Sequence, residues 1–364
     1  MFKRKMAAIF IILLGFLCSC GRGSIAAEER YNPGTDYQYF QAADSSGLYP
    51  KIQETEEGCF LYHDQFIYRY EQGGNIVPLC SKINCLHDKE ANIENRTECN
   101  AYLDHILAGN NQISLMRYKD SLYVCYPRSD VNADTSLTFS LYCIAADGSS
   151  KDEVFRCPDV AYPLIHRGYM YYYTEVYSLE DRDPESETEI VFQEELHQLS
   201  IEDRKYKDKV IMKPKDAKGF SKLSAYGNHV YFSFDYYSPE GIVLLAYNTQ
   251  TENVEETKLG TSRLTLYQDK YYLIPGSQNK DLYDQQGVYI SDYLGNTEEE
   301  VIRELEKDLY LVNDGKYLYI NNGFRHFLDP EEEITYQIYD SSFKMIDEFT
   351  LPDSIKNTQF PLEV

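Results

Sequence analysis

The chain has 364 residues, among them 35 Tyr and 17 Phe but no Trp. At 43% hydrophobic and 26% charged, its composition is that of a folding chain and not a disordered one. Its 59 acidic against 35 basic residues, a net charge of −24, exclude a nucleic-acid grip, which needs clustered Lys and Arg to neutralise phosphates.

Residues 1–20 read MFKRKMAAIFIILLGFLCSC. Lys3, Arg4 and Lys5 form a basic head, and Met6 to Leu17 an apolar run. That run falls short of the roughly 20 residues a spanning helix needs, and it fits the hydrophobic region of an export signal over residues 1–19. The junction Leu17-Cys18-Ser19-Cys20-Gly21 resembles the bacterial lipoprotein signal. The resemblance implies cleavage before Cys20 and acylation, palmitate included, through its sulfur and new amine. Several buried acyl chains hold a membrane far more firmly than one. An uncleaved signal anchor, or cleavage elsewhere and secretion, are the competing readings. Cys18 is the weaker lipidation candidate, because Phe16 and Leu17 before it are bulky. Loss of residues 1–19 takes the net charge from −24 to −27, which suits a tethered body held off an anionic surface better than a peripheral membrane face. The expected address is the cell membrane, lipid-anchored and facing the extracytoplasmic side. Residues 20–49 are the lipidated N-terminus and a stalk, rich in Gly, Ser, Ala and Glu over 21–35.

From residue 50 onward a unit recurs: two short Tyr-rich alternating strands, a polar turn, and a further strand. The first of each pair reads Cys59–His63, Leu122–Tyr126, Tyr169–Tyr173, Val230–Phe234, Lys270–Ile274 and Lys316–Ile320. Its partners are Phe66–Tyr70, Ser140–Ile144, Glu195–Leu199, Val243–Tyr247, Gly287–Asp292 and Thr335–Tyr339. Aromatic and β-branched residues at period two, bounded by Gly, Asp, Asn and Ser, carry the strand signal. The turns after these partners, near Gly73, Gly148, Glu202, Thr249, Gly295 and Ser342, are spaced by 75, 54, 47, 46 and 47 residues. A period near 45 with three or four strands per unit predicts an all-β fold, a β-propeller of six blades, with seven as the other count. Residues 50–364 form this domain.

Taken alone, Thr297–Leu309 has the pattern of an amphipathic helix, but the repeat assigns it to a turn and a fourth strand. Residues 178–190, SLEDRDPESETEI, predict an exposed acidic loop within one blade. The whole pattern over residues 50–351 resembles the exported β-propeller lipoproteins of Firmicutes, grouped as six-bladed, TolB-like or of unknown function. The resemblance implies a fold and an address, not an activity.

The first interval is longer than the rest because of an insertion at 81–111. There Cys80, Cys85, His87 and Cys99 form a C-x4-C-x-H-x11-C constellation. Leu-Cys-x4-Cys-x-His followed by Cys-Asn-Ala-Tyr is similar to an arrangement recurring in the same lipoprotein group. Three thiolates and an imidazole can close a tetrahedral Zn²⁺ shell, which would be structural and would staple an insertion too short for its own core. An exported compartment argues instead for disulfides. Without Cys18 and lipidated Cys20, the cysteines are 59, 80, 85, 99, 125, 143 and 157; their odd number leaves at least one thiol unpaired. Disulfide, Zn²⁺ and plain buried thiols all stay open at this point.

The sequence carries no nucleophile elbow, His-Glu-x-x-His, phosphate loop or dinucleotide fingerprint. Histidines 63, 87, 105, 166, 197, 229 and 326 are scattered, and those in strands suit satisfied structural roles. Asp281–Asp284 matches no calcium loop with spaced ligands. The Tyr excess suits half-buried strands, with the ring in the core and the hydroxyl at the edge, better than a sugar-stacking platform. No catalytic residue is assigned and a non-enzyme is favoured. The expected function is a membrane-tethered binding module for a protein, peptide or glycan. The alternative is an extracytoplasmic hydrolase of a glycan or peptide with acidic residues at the propeller axis.

Overall fold

The computed structural model describes residue 36, residues 41–42 and most of 52–350. The longer stretches outside this description are 1–35, 43–51, 88–97, 105–111, 130–136, 179–190, 214–222, 235–242, 275–286, 304–309, 322–332 and 351–364. Cys20 with its signal, the acidic loop after Ser178, Asp281–Asp284, His105 and His326 therefore lie outside it. Among the described residues no helix is long and apolar enough to cross a membrane.

The fold is an all-β propeller, as the sequence predicts. Its described strands form successive antiparallel meanders, five of four strands and one of five. The first sheet holds β2 (Ile52–Thr55), β3 (Gly58–His63), β4 (Phe66–Glu71) and β5 (Ile76–Pro78). The second holds β6 (Ser114–Tyr118), β7 (Ser121–Ser129), β8 (Leu137–Ala145) and β9 (Lys151–Cys157). The third holds β10 (Ala161–His166), β11 (Tyr169–Ser178), β12 (Val191–Ser200) and β13 (Asp208–Met212). The fourth holds β14 (Ser224–Tyr226), β15 (His229–Phe234), β16 (Val243–Asn248) and β17 (Val254–Lys258). The fifth holds β18 (Arg263–Tyr267), β19 (Lys270–Ile274), β20 (Gly287–Ser291) and β21 (Thr297–Arg303). The last holds β22 (Tyr310–Asn313), β23 (Leu318–Asn321), β24 (Thr335–Tyr339) and β25 (Met345–Thr350), with β1 (Gln41–Ala42) added beside β22.

First strands touch first strands: β2 meets β6, β6 meets β10, and β18 meets β22. They are therefore the inner strands around the axis, and each meander runs outward from them. The segment that alone resembles a helix is strand β21 over Thr297–Arg303, hydrogen-bonded to β20. Ladder pairing outweighs local helix propensity there.

Tyrosine builds the core. Tyr171, Tyr172 and Tyr173 are consecutive and all fully buried, because β11 is covered on both faces. Alternation sends Tyr171 toward Tyr247 of the fourth sheet, ring centroids 6.3 Å apart. Tyr172 goes the other way, toward Phe155 of the second sheet, at 6.1 Å. Burying such a ring contributes about 1.5–3 kcal/mol, so neighbouring blades supply the core that a lone sheet lacks. A second apolar cluster joins the first two sheets and takes in Cys99, Ala101, Tyr102 and Leu103 from the insertion. The insertion is thus seated in a core shared with two blades.

Candidate metal centre

The ligand loop is built from the edge of the first sheet. β5 ends at Pro78, and Leu79 still donates its N–H to the Ile67 carbonyl at 2.9 Å. The chain then leaves the sheet, and Cys85 N–H closes a tight turn on the Lys82 carbonyl at 3.1 Å. His87 takes a left-handed backbone, φ 51°, which turns the chain at the third ligand. On the return, Ile67 N–H donates to the Ala101 carbonyl at 2.8 Å and Leu103 N–H to the Gln65 carbonyl at 2.8 Å. Residues 101–103 therefore continue the ladder on β4 where β5 stops. Lys82 Nζ donates to the Glu98 carbonyl, across the neck of the excursion.

At that neck Cys80, Cys85, His87 and Cys99 converge, one ligand atom from each lying within 4.8 Å of all the others. Cys99 Sγ is 3.6 Å from His87 Nδ1. Metal–sulfur and metal–nitrogen bonds of about 2.3 and 2.0 Å in a tetrahedron place donor atoms about 3.3–3.8 Å apart; the Cys99–His87 separation lies in that range, and the set could hold one small ion. Cys99 is buried and the other three are half-buried. Cys80, Cys85 and Cys99 are thiols and not disulfide halves. The sulfurs of Cys80, Cys85 and Cys99 gather around an imidazole instead of pairing off.

The electrostatics divide the thiols. Burial opposes ionisation of Cys80, but the backbone N–H groups of Lys82 and Asn100 and the thiols of Cys85 and Cys99 hold its pKa below the ordinary thiol value. Cys99 is the reverse case. Burial first, then the neighbouring Cys85 and Cys80 sulfurs, raise it to about 12 against the Ala101 N–H. Packed thiols of this kind ionise together only beside positive charge, which a bound metal ion would supply.

Outer contacts fix the ligands in turn. Lys151 Nζ donates to the Cys99 carbonyl at 3.2 Å and the Tyr102 carbonyl at 2.7 Å, its own pKa lowered by burial. Asn100 Nδ2 and Ser81 N–H donate to the Gly148 carbonyl at 2.8 and 3.1 Å. Asp104 accepts from Arg128 Nη2 at 2.7 Å and Tyr126 Oη at 3.1 Å, tying the return arm to the second sheet. Sequence reasoning found the four ligands but missed Gly148, Asn100 and Lys151. The turn Ala146-Asp147-Gly148 carries no sign that a cysteine loop leans on it.

A second polar cluster escaped the sequence altogether. His197 Nδ1 meets Asp208 Oδ2 at 2.9 Å and its Nε2 meets Thr174 Oγ1 at 3.1 Å. This Thr–His–Asp order suggests a nucleophilic triad, yet Glu195 Oε2 also stands 3.5 Å from the same Nε2, competing with the Thr174 hydroxyl for that nitrogen. The ring is also stacked on Tyr172, centroids 4.9 Å apart, and Tyr172 Oη donates to Asp208 Oδ1 at 3.0 Å. The cluster therefore fastens β11, β12 and β13 together.

No family model and no curated protein matches the chain. Among solved structures it is similar to the β-propeller domain of the Trilobed protease from Pyrococcus furiosus, with 12% identity over 67% of this chain and 71% of that one, TM-score 0.43. It is similar to a prolyl endopeptidase, with 14% identity over 96% of this chain and 48% of that one, TM-score 0.49. TolB from Acinetobacter baumannii gives 12% identity over 83% and 78%, TM-score 0.37. The chain spans about half the length of the prolyl endopeptidase it matches. The propeller assignment itself rests on the order of the sheets.

Proposed function

We propose that the chain is a lipid-tethered extracytoplasmic binding module of the exported propeller-lipoprotein kind. Its six sheets close as six blades, its acylated Cys20 anchors it, and Zn²⁺ held by Cys80, Cys85, His87 and Cys99 fastens a recognition loop. The observation that carries the reading is the convergence of four ligating side chains at the neck of a loop that holds apolar residues in solvent. Ile83 is 99% and Leu86 86% exposed, both between the ligands. Holding such side chains out in the described part of the loop calls for a staple, and a metal would supply one.

Zinc fits the donor set best, being borderline-soft and content with tetrahedral sulfur and nitrogen. Four protein ligands leave no open position, so the ion would be structural and would activate no water. Three thiolates and a neutral imidazole around Zn²⁺ leave one net negative charge, which Lys151 and Lys82 at the neck offset. A protein, peptide or glycan would meet the loop and the adjacent blade surface.

The reading is tested on protein purified without chelator. Elemental analysis should give one zinc per chain, and none in a Cys80→Ser, Cys99→Ser double variant. The zinc form should then bind members of an immobilised peptide or glycan array, with the same hits lost in Ile83→Ser, Leu86→Ser. Metal-free wild type with native spectra and unchanged array binding would overturn it.

A further inference from the structure

We propose that the propeller face carrying the β10–β11 and β14–β15 turns is turned toward the lipid bilayer, held that way by Asp36 and β1. The inference rests on the lipid anchor at Cys20 and the six-blade closure proposed above.

Asp36 lies far ahead of the first blade in sequence, yet it is 1% exposed. Its carboxylate accepts from Arg167 Nε at 2.5 Å and from Nη2 at 2.7 Å. Arg167 occupies the β10–β11 turn with φ 45°, and its Nη1 donates to Asn228 Oδ1 in the β14–β15 turn at 2.5 Å. One carboxylate from the leading segment is thus locked where the third and fourth sheets meet. Bidentate pairing of a largely buried carboxylate is a geometry of consequence, since losing either partner strands a charge.

The second fixed point is across the ring. β1 pairs antiparallel with β22, Gln41 opposite Asn313 and Ala42 opposite Val312. Asn313 ends β22 just before the β22–β23 connection, so Gln41 sits at the face where inner strands end, as does Arg167. From there β1 runs inward beside the axis, also touching β18. The leading segment is therefore fastened at two points on one face, close to the axis. Inner strands such as β2 begin at the opposite face.

The length of the tether then decides the orientation. Sixteen peptide steps separate Cys20 from Asp36. A chain of that length cannot exceed about 56 Å end to end. A compact domain of this size has a radius of about 25 Å, so reaching round the rim to lay the far face on the bilayer would demand nearly full extension. Entropy opposes that. The near face is presented to lipid, and the face holding the β3–β4 turn is left for ligand.

The absence of tryptophan makes the test clean. Tyr169, exposed beside the β10–β11 turn, and His63, exposed at the end of β3, lie on opposite faces. Tyr169→Trp and His63→Trp would be made separately in the full lipidated protein and reconstituted into phosphatidylcholine vesicles containing dansyl-phosphatidylethanolamine. Energy transfer from Tyr169→Trp should exceed that from His63→Trp at least twofold. Inserting twenty Gly/Ser residues after Gly23 should abolish the difference. Protein that does not float with vesicles would sink the anchor and this proposal together. Floating protein with equal or reversed transfer would overturn the orientation, and a difference that survives the insertion would overturn the tether as its cause.

Discussion

Gly148 stands directly against Cys80: a Cβ added to this glycine would lie 2.7 Å from the Cys80 backbone nitrogen. The contact joins the β8–β9 turn of the second sheet to the first ligand of the cysteine loop. Gly148 also has φ 74°, a conformation that costs other residues energy.

Gly148→Ala combines both penalties and should destabilise the fold by about 1–3 kcal/mol. It should also loosen zinc retention, because the backbone that must shift belongs to a ligand. Thermal unfolding with and without added zinc checks this; an unchanged midpoint and metal content would refute the contact's importance.

The ligands should separate by depth. Cys99 packs in the core shared by the first two sheets, whereas His87 is half-buried on the loop. Cys99→Ser should abolish zinc binding and cost about 1–3 kcal/mol, since it buries a hydroxyl in the apolar cluster. His87→Ala should abolish tight zinc binding with a loss of stability under about 1 kcal/mol. Parallel denaturant titrations and metal analysis distinguish them.

Chelation should release the loop and spare the propeller. Hydrogen exchange at residues 81–87 should rise at least tenfold after zinc removal, and trypsin should gain a cut at Lys82. Protection in β11 and β12 should hold, because Tyr171–Tyr173 make their contacts without the loop.

Acid should weaken the fold through His166. Its Nε2 donates to the Gly227 carbonyl at 2.6 Å while Nδ1 is buried without a hydrogen-bond partner. Burial lowers its pKa to about 4 from 6.5. The folded state thus resists a proton that the unfolded state accepts, and stability falls as pH drops from about 6.5 to 4, by up to about 3 kcal/mol. His166→Gln should flatten that part of the stability profile measured by urea unfolding.

The His197 cluster should behave as a fastening. Tyr172→Phe removes its hydrogen bond to Asp208 and should cost about 1 kcal/mol. His197→Leu leaves Asp208 and Glu195 without their shared partner and should cost about 2–3 kcal/mol. Hydrolysis of activated acyl esters that disappears in Thr174→Val, with stability unchanged, would contradict the structural role.

Much of the architecture was written in the chain. Tyr-rich strands such as Tyr169–Tyr173, followed by turns whose last three spacings are 47, 46 and 47 residues, fix strand type and a propeller's repeat, because a two-sided apolar strand needs a blade on each side. The spacing of Cys80, Cys85, His87 and Cys99 marked the one constellation with metal-site chemistry. The inner strands were not singled out, since segments as short and mixed as Ser224–Tyr226 carry no periodic signal; packing around an axis makes them strands. Pairings between distant residues were equally silent. Asp36 finds Arg167 across 131 positions, and Cys80 finds Gly148 across 68, only after the sheets close. Local pattern sets what a segment can be, whereas which segments meet depends on the ring, a contact order that no window of sequence contains.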